Sequence, residues 1–489
     1  MHKTKAVEFY QRCLKCQHIS ETLNYTCTCG SEDWTKEYRI LGVTCQLSPE
    51  EIQEARMAFW DYDVHHPQGI LQYFLTPHQQ YKEAIDFKVG GTSFIPLEKL
   101  SQYYGTQVFL KNEAGNPSGC FKDRETVMAA LHSMAQHLKK AVIYSSGNAA
   151  ASAALFANHL DFQLITCVAG DTYPEKIEYI RKKGSAVIRI GDQHTNFEEG
   201  YRLFAQLNNE GFFTQNGFDN WSVRNPYRVL GDKTTALEII KQFSAKTGRP
   251  NAVPDFVIVS TGNGTCLAGI WNGFKELKKL GLIDRCPRMV SAAIKNASPV
   301  YKAFKKRMTS KPAICDLDEV PESDKEIGST ILAEEGYDSM EATKAVIESK
   351  GLAIEVSRRG IRRALIDLLK QEEAKALEHQ LLPEPASLVT LAALKKMKKQ
   401  KKVDQESSVV ALISGHGAKA KDLLLKMLKF RPKLQKVMLQ IIQERKSHQN
   451  NCAGLEKGEL IEIDADLQEL RAAIRKLNRE FYAEDVFAV

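Results

Sequence analysis

The sequence predicts an α/β protein whose main body contains parallel strands flanked by helices. Between about residues 111 and 417, short runs rich in β-branched residues alternate with longer stretches that carry apolar residues at helical spacing. The chain has 489 residues, of which 43% are apolar, so it is long enough to bury the cores of two or three domains. These observations exclude general disorder and favour a globular α/β body.

Six apolar runs of strand length are predicted as strands, and three longer stretches are predicted as helices. The strands are residues 141–144, 164–168, 186–190, 256–259, 290–294 and 409–413. The helices are residues 125–138, 196–207 and 267–280. Alternation of this kind is typical of sheets in which crossover helices join parallel strands.

The two ends of the chain differ from this body. The first thirty residues carry a cluster of cysteines, and the sequence beyond about Leu423 has the pattern of charged amphipathic helix. In the tail, Asp466 with Glu469 fits a capping box. Apolar residues then recur at three- and four-residue spacing, at Leu467, Leu470, Ile474, Leu477 and Phe481. We expect this stripe to pack on the body or on another subunit; a groove ligand for another protein is the alternative.

Composition and charge narrow the classes of function. The longest apolar stretches are strand-length, well short of the roughly 20 residues that a membrane span needs. The first ten residues lack the apolar core of a secretory signal, and most of the eleven cysteines are scattered singly. The net charge of +7 is spread along the chain, and the lysine-rich run 395–402 is typical of a solvated helix end. We therefore expect a cytoplasmic protein with reduced thiols and without a membrane or nucleic-acid partner.

A turn-forming segment at residues 116–124 delivers a lysine to the start of a helix. Its sequence is Asn-Pro-Ser-Gly-Cys-Phe-Lys-Asp-Arg, and the lysine is Lys122. The positive end of the helix and partial desolvation both favour the neutral, nucleophilic amine. Taken alone, a lysine in this position is more often a surface residue.

Two loops that follow predicted strands have the composition of anion-binding turns. Residues 144–152, which include Ser145, Ser146 and Asn148, lead from a strand into an alanine-rich helix, although a plain strand-to-helix turn with an asparagine cap explains them equally well. Residues 260–269 form a glycine-rich loop that can cradle a phosphate with backbone N–H groups. This loop matches neither the P-loop nor the dinucleotide fingerprint, which favours a single phosphate monoester.

A fourth segment, Ser414-Gly415-His416-Gly417, follows the last predicted strand and places a hydroxyl at its carboxyl end. In this order, the four segments resemble those of the fold-type II pyridoxal-phosphate (PLP) enzymes, and most of all the threonine synthases. The latter resemblance rests on Gly-Gly-Thr at residues 90–92 and Ser-Val-Arg-Asn-Pro-Tyr-Arg at residues 222–228. It covers about residues 85–420, and the combination is more specific than any single segment.

The resemblance implies a cofactor site. Lys122 is expected to hold PLP as a Schiff base, Asn148 to contact the ring hydroxyl and Ser414 to face the pyridine nitrogen. A hydroxyl in this position leaves the nitrogen largely unprotonated, which suits elimination and replacement chemistry. The other cofactor residues that the resemblance implies are Phe121 and the phosphate-binding Gly262, Asn263, Gly264, Thr265 and Cys266.

The resemblance also implies a substrate, O-phospho-L-homoserine, which is converted with water to L-threonine and phosphate. The substrate residues that it implies are Thr92, Ser145, Ser146, Ser222, Asn225 and Arg228. Arg224 is an extra residue relative to the family pattern, and Ser93 stands where a proline is usual; both departures concern the expected substrate more than the cofactor. Glu384, in a string similar to one near the family's active site, is a candidate wall or acid–base residue.

The expected domain organisation has three parts. A catalytic body covers residues 41–423, with a smaller α/β domain at about 123–235 inserted in the larger one, and residues 424–489 form a helical extension. Residues 1–40 are similar to a zinc ribbon, with Cys13, Cys16, Cys27 and Cys29 as ligands of a structural zinc ion. The second pair is one residue shorter than usual, so unliganded thiols are the alternative, and His18 is a substitute ligand. We expect a homodimer.

Two other functions remain open at this point. A threonine or serine dehydratase, or another PLP-dependent β- or γ-replacement enzyme, would have a similar body. A regulatory protein that acts through its C-terminal helices is an alternative of another class.

Overall fold

The computed structural model describes most of the chain after residue 88. The described residues are 89–223, 225–309, 313–328, 331–334, 336, 338–448 and 458–486, with residues 9–13, 19–20, 41–45, 48–50, 53 and 57 near the N-terminus. None of the described helices is long and apolar enough to cross a membrane.

The strands and helices alternate through the body of the chain. The strands are β1 (Phe9–Cys13), β2 (Ile19–Ser20), β3 (Leu41–Cys45), β4 (Phe94–Pro96), β5 (Gln107–Asn112), β6 (Lys140–Tyr144), β7 (Gln163–Ala169), β8 (Ala186–Ile190), β9 (Phe218–Asn220), β10 (Phe256–Ser260), β11 (Arg288–Ile294), β12 (Leu352–Val356), β13 (Ser408–Ile413) and β14 (Leu460–Ile463).

The helices are α1 (Glu98–Tyr104), α2 (Lys122–Ala135), α3 (Asn148–His159), α4 (Pro174–Arg181), α5 (Phe197–Asn209), α6 (Phe212–Gln215), α7 (Arg228–Thr247), α8 (Thr265–Lys279), α9 (Pro299–Lys305), α10 (Glu322–Gly328), α11 (Ser339–Glu348), α12 (Arg358–Gln371), α13 (Glu373–Glu378), α14 (Pro385–Lys399), α15 (Lys421–Met427), α16 (Pro432–His448) and α17 (Leu467–Val486). Short 3₁₀ turns lie at Glu113–Gly115, Leu317–Glu319 and Gly417–Ala420.

The described residues divide into two compact units. The first contains the N-terminal strands, residues 89–124 and the described residues of 229–448, and the second contains those of 125–228 and residues 458–486. The first unit has a sheet of order β12-β11-β10-β13-β5-β4, parallel except for the antiparallel pair β4–β5. Every residue of β10 and β13 is buried, as expected for central parallel strands covered on both faces.

The carboxyl ends of β10 and β13 position the main features of the first unit. These strands are hydrogen-bonded neighbours, with Phe256 opposite Val409 and Ile258 opposite Ala411. Since parallel strands end at the same edge of a sheet, the loops that follow Ser260 and Ile413 lie side by side.

The second unit is built on a wholly parallel sheet of order β14-β8-β7-β6-β9. Helix α3 follows the interior strand β6, and most of its alanines are buried, because small side chains let the helix lie close to the sheet. The loop at residues 145–147 therefore lies at the carboxyl edge of this sheet.

The C-terminal extension is not wholly helical, so this expectation was wrong. Strand β14 pairs in parallel with β8, with Leu460 opposite Val187 and Ile463 opposite Ile190. Four residues are too few for the alternation of a strand to be distinguished from a helical pattern. The pairing partner, β8, lies far away in the sequence. The extension is also divided, because α15 and α16 belong to the first unit, whereas β14 and α17 belong to the second.

Helix α17 packs through the apolar stripe that its sequence predicts. Leu470, Ile474 and Leu477 are buried, and the helix contacts β7, β8 and β14 within the second unit. The Oδ1 atom of Asp466 accepts a hydrogen bond from the N–H of Glu469 at 3.0 Å, but the Glu469 carboxylate accepts from the N–H of Asp464. Half of the expected capping box is therefore present.

The N-terminal strands form an antiparallel sheet of order β2-β1-β3. Cys13 is the last residue of β1, whereas Cys16, Cys27, Cys29 and His18 lie outside the described residues. Among the residues that the structure describes, no group of three or more His, Cys, Asp or Glu could hold a metal ion. Zinc in this segment stays a prediction.

Candidate active site

Lys122 is the first residue of α2 and follows a tight turn. The turn needs glycine at position 119, where φ is +84° and an added Cβ would lie 2.9 Å from Nη2 of Arg445. Lys122 is half-buried, and its Nζ lies 4.5 Å from the centre of the Phe121 ring. The N–H of Ser118 donates to Oδ2 of Asp123 at 2.7 Å, which ties the turn to the helix. The lysine thus extends from a fixed helix start.

The loop after β13 is hydrogen-bonded directly to this turn. The N–H of Phe121 donates to the carbonyl oxygen of Ser414 at 2.9 Å, and the N–H of His416 donates to that of Gly119 at 2.9 Å. The Ser414 hydroxyl is buried and lies 2.8 Å from the hydroxyl of Ser387 and 3.3 Å from that of Ser260. Ser414 is therefore bonded to the residue that precedes Lys122, and its hydroxyl can donate a hydrogen bond.

His416 is a neutral imidazole at neutral pH. Its Nδ1 accepts from the N–H of Ala418 at 3.0 Å, so its Nε2 carries the proton toward the carbonyl oxygen of Gln380 at 3.1 Å. Burial, together with the charge of Arg445, lowers the pKa of His416 to about 3. The ring is a neutral, internally bonded part of the wall.

The glycine-rich loop leads from β10 into α8. At Gly264, φ is +98° and a Cβ would lie 2.7 Å from the carbonyl oxygen of Asp338; at Gly262 it would lie 3.0 Å from the backbone of Ile331. The loop is held from outside, since the N–H of Asp338 donates to the carbonyl oxygen of Asn263 at 2.8 Å and Oγ1 of Thr265 donates to Oδ2 of Asp338 at 2.5 Å.

The beginning of α8 suits a phosphate group. The first N–H groups of a helix have no acceptor within the helix, and the helix dipole adds positive potential there. Because the Thr265 hydroxyl is bonded to Asp338, the anion would be held chiefly by backbone N–H groups. Gly262 and Asn263 are half-buried, whereas Gly264 is buried. The buried thiol of Cys266 follows in the first turn of α8.

The loop after β6 is partly exposed at the carboxyl edge of the second unit's sheet. Ser145, Ser146, Gly147 and Asn148 are half-buried, whereas the strand before them is buried. The N–H of Gly147 donates to Oγ of Ser145 at 3.2 Å, and Asn148 is the first residue of α3. Two hydroxyls, an amide and a helix start can thus meet a small polar ligand.

The other residues of the second unit that were expected to bind substrate are bonded internally. Oγ of Ser222 accepts from the N–H of Tyr144 at 2.9 Å, and Nδ2 of Asn225 donates to the carbonyl oxygen of Asn220 at 3.1 Å. Nη1 of Arg228 donates to the carbonyl oxygen of Trp221 at 2.9 Å, and Nη2 is paired with the buried Glu125. Arg224 lies outside the described residues.

Thr92, in the first unit, is also buried and bonded. Its Oγ1 donates to Oε1 of Glu113 at 2.7 Å, and its carbonyl oxygen accepts from Nζ of Lys111 at 2.7 Å. Sequence reasoning missed this charged environment and the clamp that Asp338 forms on the glycine-rich loop. The available signal for the first was a lysine and a glutamate at the end of the apolar run 108–110.

Glu384 lies beside the Ser414 loop. Its N–H donates to the carbonyl oxygen of Gly415 at 2.9 Å, and its carboxylate is 3.3 Å from Nζ of Lys419. A Cβ on Gly415 would lie 2.4 Å from Oε1 of Glu384, so the carboxylate packs directly on this glycine. The expected role as a wall residue fits this position, and an acid–base role stays a prediction.

A lysine at a helix start, an anion cradle and a buried hydroxyl at one edge of a parallel sheet define an α/β enzyme that holds a small phosphorylated cofactor. The family described as "Pyridoxal-phosphate dependent enzyme" matches residues 85–415, and the chain belongs to this family. Gly262 and Gly264, where no side chain fits, and the Ser414 hydroxyl meet the needs of that cofactor's phosphate and ring nitrogen.

Curated relatives specify the similarity further. The chain is 27% identical over 419 residues to a threonine synthase of Methanocaldococcus jannaschii, an alignment that spans 84% of this chain and 93% of the relative. It is 26% identical over 415 residues to a threonine synthase of Methanosarcina acetivorans, spanning 83% and 91%. The chain is thus a threonine synthase-like PLP enzyme.

Solved structures support the fold. Threonine deaminase isoform 2 from Solanum lycopersicum superposes with a TM-score of 0.53 at 17% identity, over 79% of this chain and 94% of that one. At this identity the match demonstrates a common fold and nothing about the substrate.

Proposed function

We propose that this protein converts O-phospho-L-homoserine and water to L-threonine and phosphate. The observation that carries the proposal is the lysine turn of Lys122 hydrogen-bonded to the Ser414 loop, since it pairs a candidate cofactor lysine with a neutral hydroxyl. The similarity to two threonine synthases over more than four fifths of the chain supports the choice of substrate.

The proposed cofactor contacts come from residues that the sequence indicates. Lys122 would hold PLP, with Phe121 beside it, and residues Gly262, Asn263, Gly264, Thr265 and Cys266 would bind its phosphate. Ser414 would face the ring nitrogen and Asn148 the ring hydroxyl. When bound, this cofactor supplies an aldehyde for the substrate amine and a conjugated ring that withdraws electrons from the substrate carbon atoms.

Lys122 is proposed to move protons while its amine is free of the cofactor. A primary amine at the start of a helix can take a proton from the α carbon and return one at a neighbouring carbon. Its fixed helix start supports this role, because general acid–base catalysis requires the amine within hydrogen-bond reach of the proton. The neutral Ser414 hydroxyl would limit the electron withdrawal, which suits loss of phosphate from the γ carbon and addition of water at the β carbon.

The substrate residues are proposed to act in two groups. Ser145 and Ser146, which are half-buried at the start of α3, would contact the substrate's anionic groups directly. Ser222, Asn225 and Arg228 would shape the segment between β9 and α7 through their internal bonds. Nη1 and Nη2 of Arg228 are already bonded to Trp221 and Glu125, whereas its buried Nε has no hydrogen-bond partner among the described residues and could donate to a phosphate.

The test is an assay of purified protein saturated with PLP. We expect equal amounts of inorganic phosphate and L-threonine from O-phospho-L-homoserine, and neither product from L-homoserine. Formation of 2-oxo acid from L-threonine or L-serine, without phosphate release, would indicate a dehydratase instead.

Borohydride labelling tests the role of Lys122 separately. Reduction of the holoenzyme followed by peptide mapping is expected to place the pyridoxyl group on Lys122. Lys122→Ala should abolish labelling and turnover. The matched control is Lys182→Ala, which removes a lysine whose side chain is 68% exposed and should change neither. Labelling of any other lysine contradicts the assignment.

A further inference from the structure

Four buried charged residues of the first unit form one network, which we call the buried tetrad: Lys111, Glu113, Arg124 and Glu238. Their side chains are at most 2% exposed. Arg124 donates from Nε to Glu113 at 2.6 Å and from Nη1 to Glu238 at 2.8 Å, and its Nη2 donates to Glu113 at 2.9 Å and to Glu238 at 2.8 Å. Nζ of Lys111 donates to Glu238.

The buried tetrad holds residues 90–92 at successive positions. The N–H of Gly91 donates to Oε1 of Glu238 at 3.0 Å, and Oγ1 of Thr92 donates to Oε1 of Glu113 at 2.7 Å. The carbonyl oxygen of Thr92 accepts from Lys111. The N–H of Gly90 donates to Oδ1 of Asn116, which itself donates from Nδ2 to Glu113. The segment is therefore fixed through its backbone and its hydroxyl.

The same network also includes residues on both sides of Lys122 in the sequence. Arg124 lies two residues after Lys122 in the first turn of α2, and Asn116 begins the turn that precedes it. One set of hydrogen bonds thus connects residues 90–92 to both flanks of Lys122.

Stability alone does not explain the buried tetrad. Two cations and two anions balance, but desolvation of four charges consumes most of the attraction, and buried ion pairs can often be replaced by apolar residues without loss of stability. Although burial acts to raise the pKa of Glu238, the charges of Arg124 and Lys111 outweigh it and lower the pKa to about 2. Although burial opposes it, the charge of Arg124 also lowers the pKa of Glu113, whereas burial lowers the pKa of Lys111. The bonds of Arg124 to the two carboxylates therefore stay ionised and directional at neutral pH, and directional bonds define position.

We propose that the buried tetrad is a positioning device that fixes residues 90–92 relative to Lys122, and that Arg124 and Glu238 are positioning residues for the reaction. The proposal rests on the proposed function in one respect, since it takes Lys122 as the cofactor lysine and Thr92 as part of the substrate site. The glycine-rich loop is carried by other elements, β10 and α8, so cofactor binding should be affected much less than turnover.

The main test replaces one cation and one anion by apolar residues of similar size. The double variant Lys111→Met, Glu238→Leu leaves Arg124 paired with Glu113 but frees the N–H of Gly91 and removes one of two side-chain donors to the carbonyl oxygen of Thr92, which keeps its bond from Nε2 of Gln242. We expect near-normal PLP content and thermal stability with kcat reduced about 100-fold, the usual cost of misplacing a reacting group by about 1 Å. A variant with kcat within about twofold of wild type overturns the proposal.

Two single variants keep the test decisive if the double variant does not fold. Glu238→Gln retains the shape and an acceptor for Gly91 but weakens the hold on Arg124, and Arg124→Lys removes the fork that reaches both carboxylates. Both should lower kcat more than they raise KM. The matched control is Glu372→Gln, a buried glutamate that accepts from the N–H of Leu100 at 2.8 Å elsewhere in the first unit. It should affect stability alone; an equal loss of kcat in this control would also overturn the proposal.

A second readout separates this proposal from the proposed function. The rate at which the cofactor absorbance band changes when an amino acid is added depends on Lys122 and not on phosphate release. If wild-type enzyme releases no phosphate from O-phospho-L-homoserine, the proposed function fails. The buried tetrad is then judged by this rate, which should still fall in the variants and remain unchanged in Glu372→Gln.

Discussion

At the scale of residues, Ser414 belongs to a short row of buried hydroxyls. Oγ of Ser260 donates toward Ser414, and Oγ of Ser387, which accepts from the N–H of Gly415 at 2.9 Å, lies 2.8 Å from it. Each hydroxyl can donate only one proton, so Ser414 can direct its own proton toward a ligand when Ser387 is the donor in their shared bond. A neutral donor supported in this way differs from a carboxylate, which would attract a proton onto a ring nitrogen.

Removal of the Ser414 hydroxyl should lower the activity of the enzyme but not its cofactor content. We expect Ser414→Ala to retain PLP and to reduce kcat/KM about tenfold, the equivalent of one hydrogen bond of about 1.4 kcal/mol. The matched control is Ser291→Ala, since Oγ of Ser291 on β11 is buried without a hydrogen-bond partner in the described part of the chain. Steady-state kinetics on both variants checks this; equal activity in both contradicts a role for Ser414.

The site residues that the sequence could predict lie in short, continuous sequence motifs. Lys122 follows a recognisable turn and Ser414 a recognisable strand, whereas the buried tetrad depends on partners such as Lys111 and Glu238, which are 127 positions apart. The same limit applies to Asp338, whose bond to Thr265 spans 73 positions. No periodicity or turn chemistry connects residues over such distances.

At the scale of elements, the six predicted strands are confirmed, because each lies within an observed strand of the two sheets. The three predicted helices overlap α2, α5 and α8. In the same two sheets, strands β4, β5, β9, β12 and β14 were missed, since each is short or contains polar residues that weaken the apolar run. β5 is an example: it ends with Lys111 and Asn112, whose polar groups are satisfied only in the folded core.

The glycine-rich loop should tolerate no side chain at position 264. In Gly264→Ala, the new Cβ meets the carbonyl oxygen of Asp338 in addition to the strain of φ at +98°. A cost of about 1–3 kcal/mol in the loop corresponds to a rise of about 5- to 150-fold in the dissociation constant of PLP. Fluorescence titration of the apoenzyme with PLP measures this change.

Gly248→Ala is the control that separates backbone strain from the close contact. Gly248 also has a positive φ, +66°, but nothing lies within 4 Å of an added Cβ. This variant should lose some stability and keep the wild-type dissociation constant. A similar affinity loss in both variants would contradict the assignment of residues 262–266 to the phosphate.

At the scale of the whole molecule, the C-terminal extension serves both units. Leu434, Val437 and Met438 of α16 join the core of the first unit, and Leu470 and Ile474 of α17 are buried in the second. The extension is therefore part of the folded body in each case. This makes a freely presented apolar helix unnecessary to explain the stripe of α17.

Disruption of the α17 stripe should destabilise the second unit. Ile474→Asp buries an unpaired carboxylate and is expected to cost about 3–5 kcal/mol, whereas Ala472→Asp on the exposed side should cost less than about 1 kcal/mol. Hydrogen–deuterium exchange in β6, β7 and β8 should rise in the first variant and stay unchanged in the second. Unchanged exchange in both would show that α17 does not support the sheet.

The sequence by itself determined the α/β class, the strands of the two parallel sheets that are apolar throughout, and the local strings around Lys122, the glycine-rich loop and Ser414. These features depend on neighbours within a few positions, where periodicity, turn residues and helix starts act directly. Only the tertiary structure decided that β14 completes a sheet, that Arg228 is paired with Glu125, and that the buried tetrad joins residues 90–92 to the lysine turn. These arrangements depend on which distant segments meet in the folded core, where desolvation makes every charge find a partner.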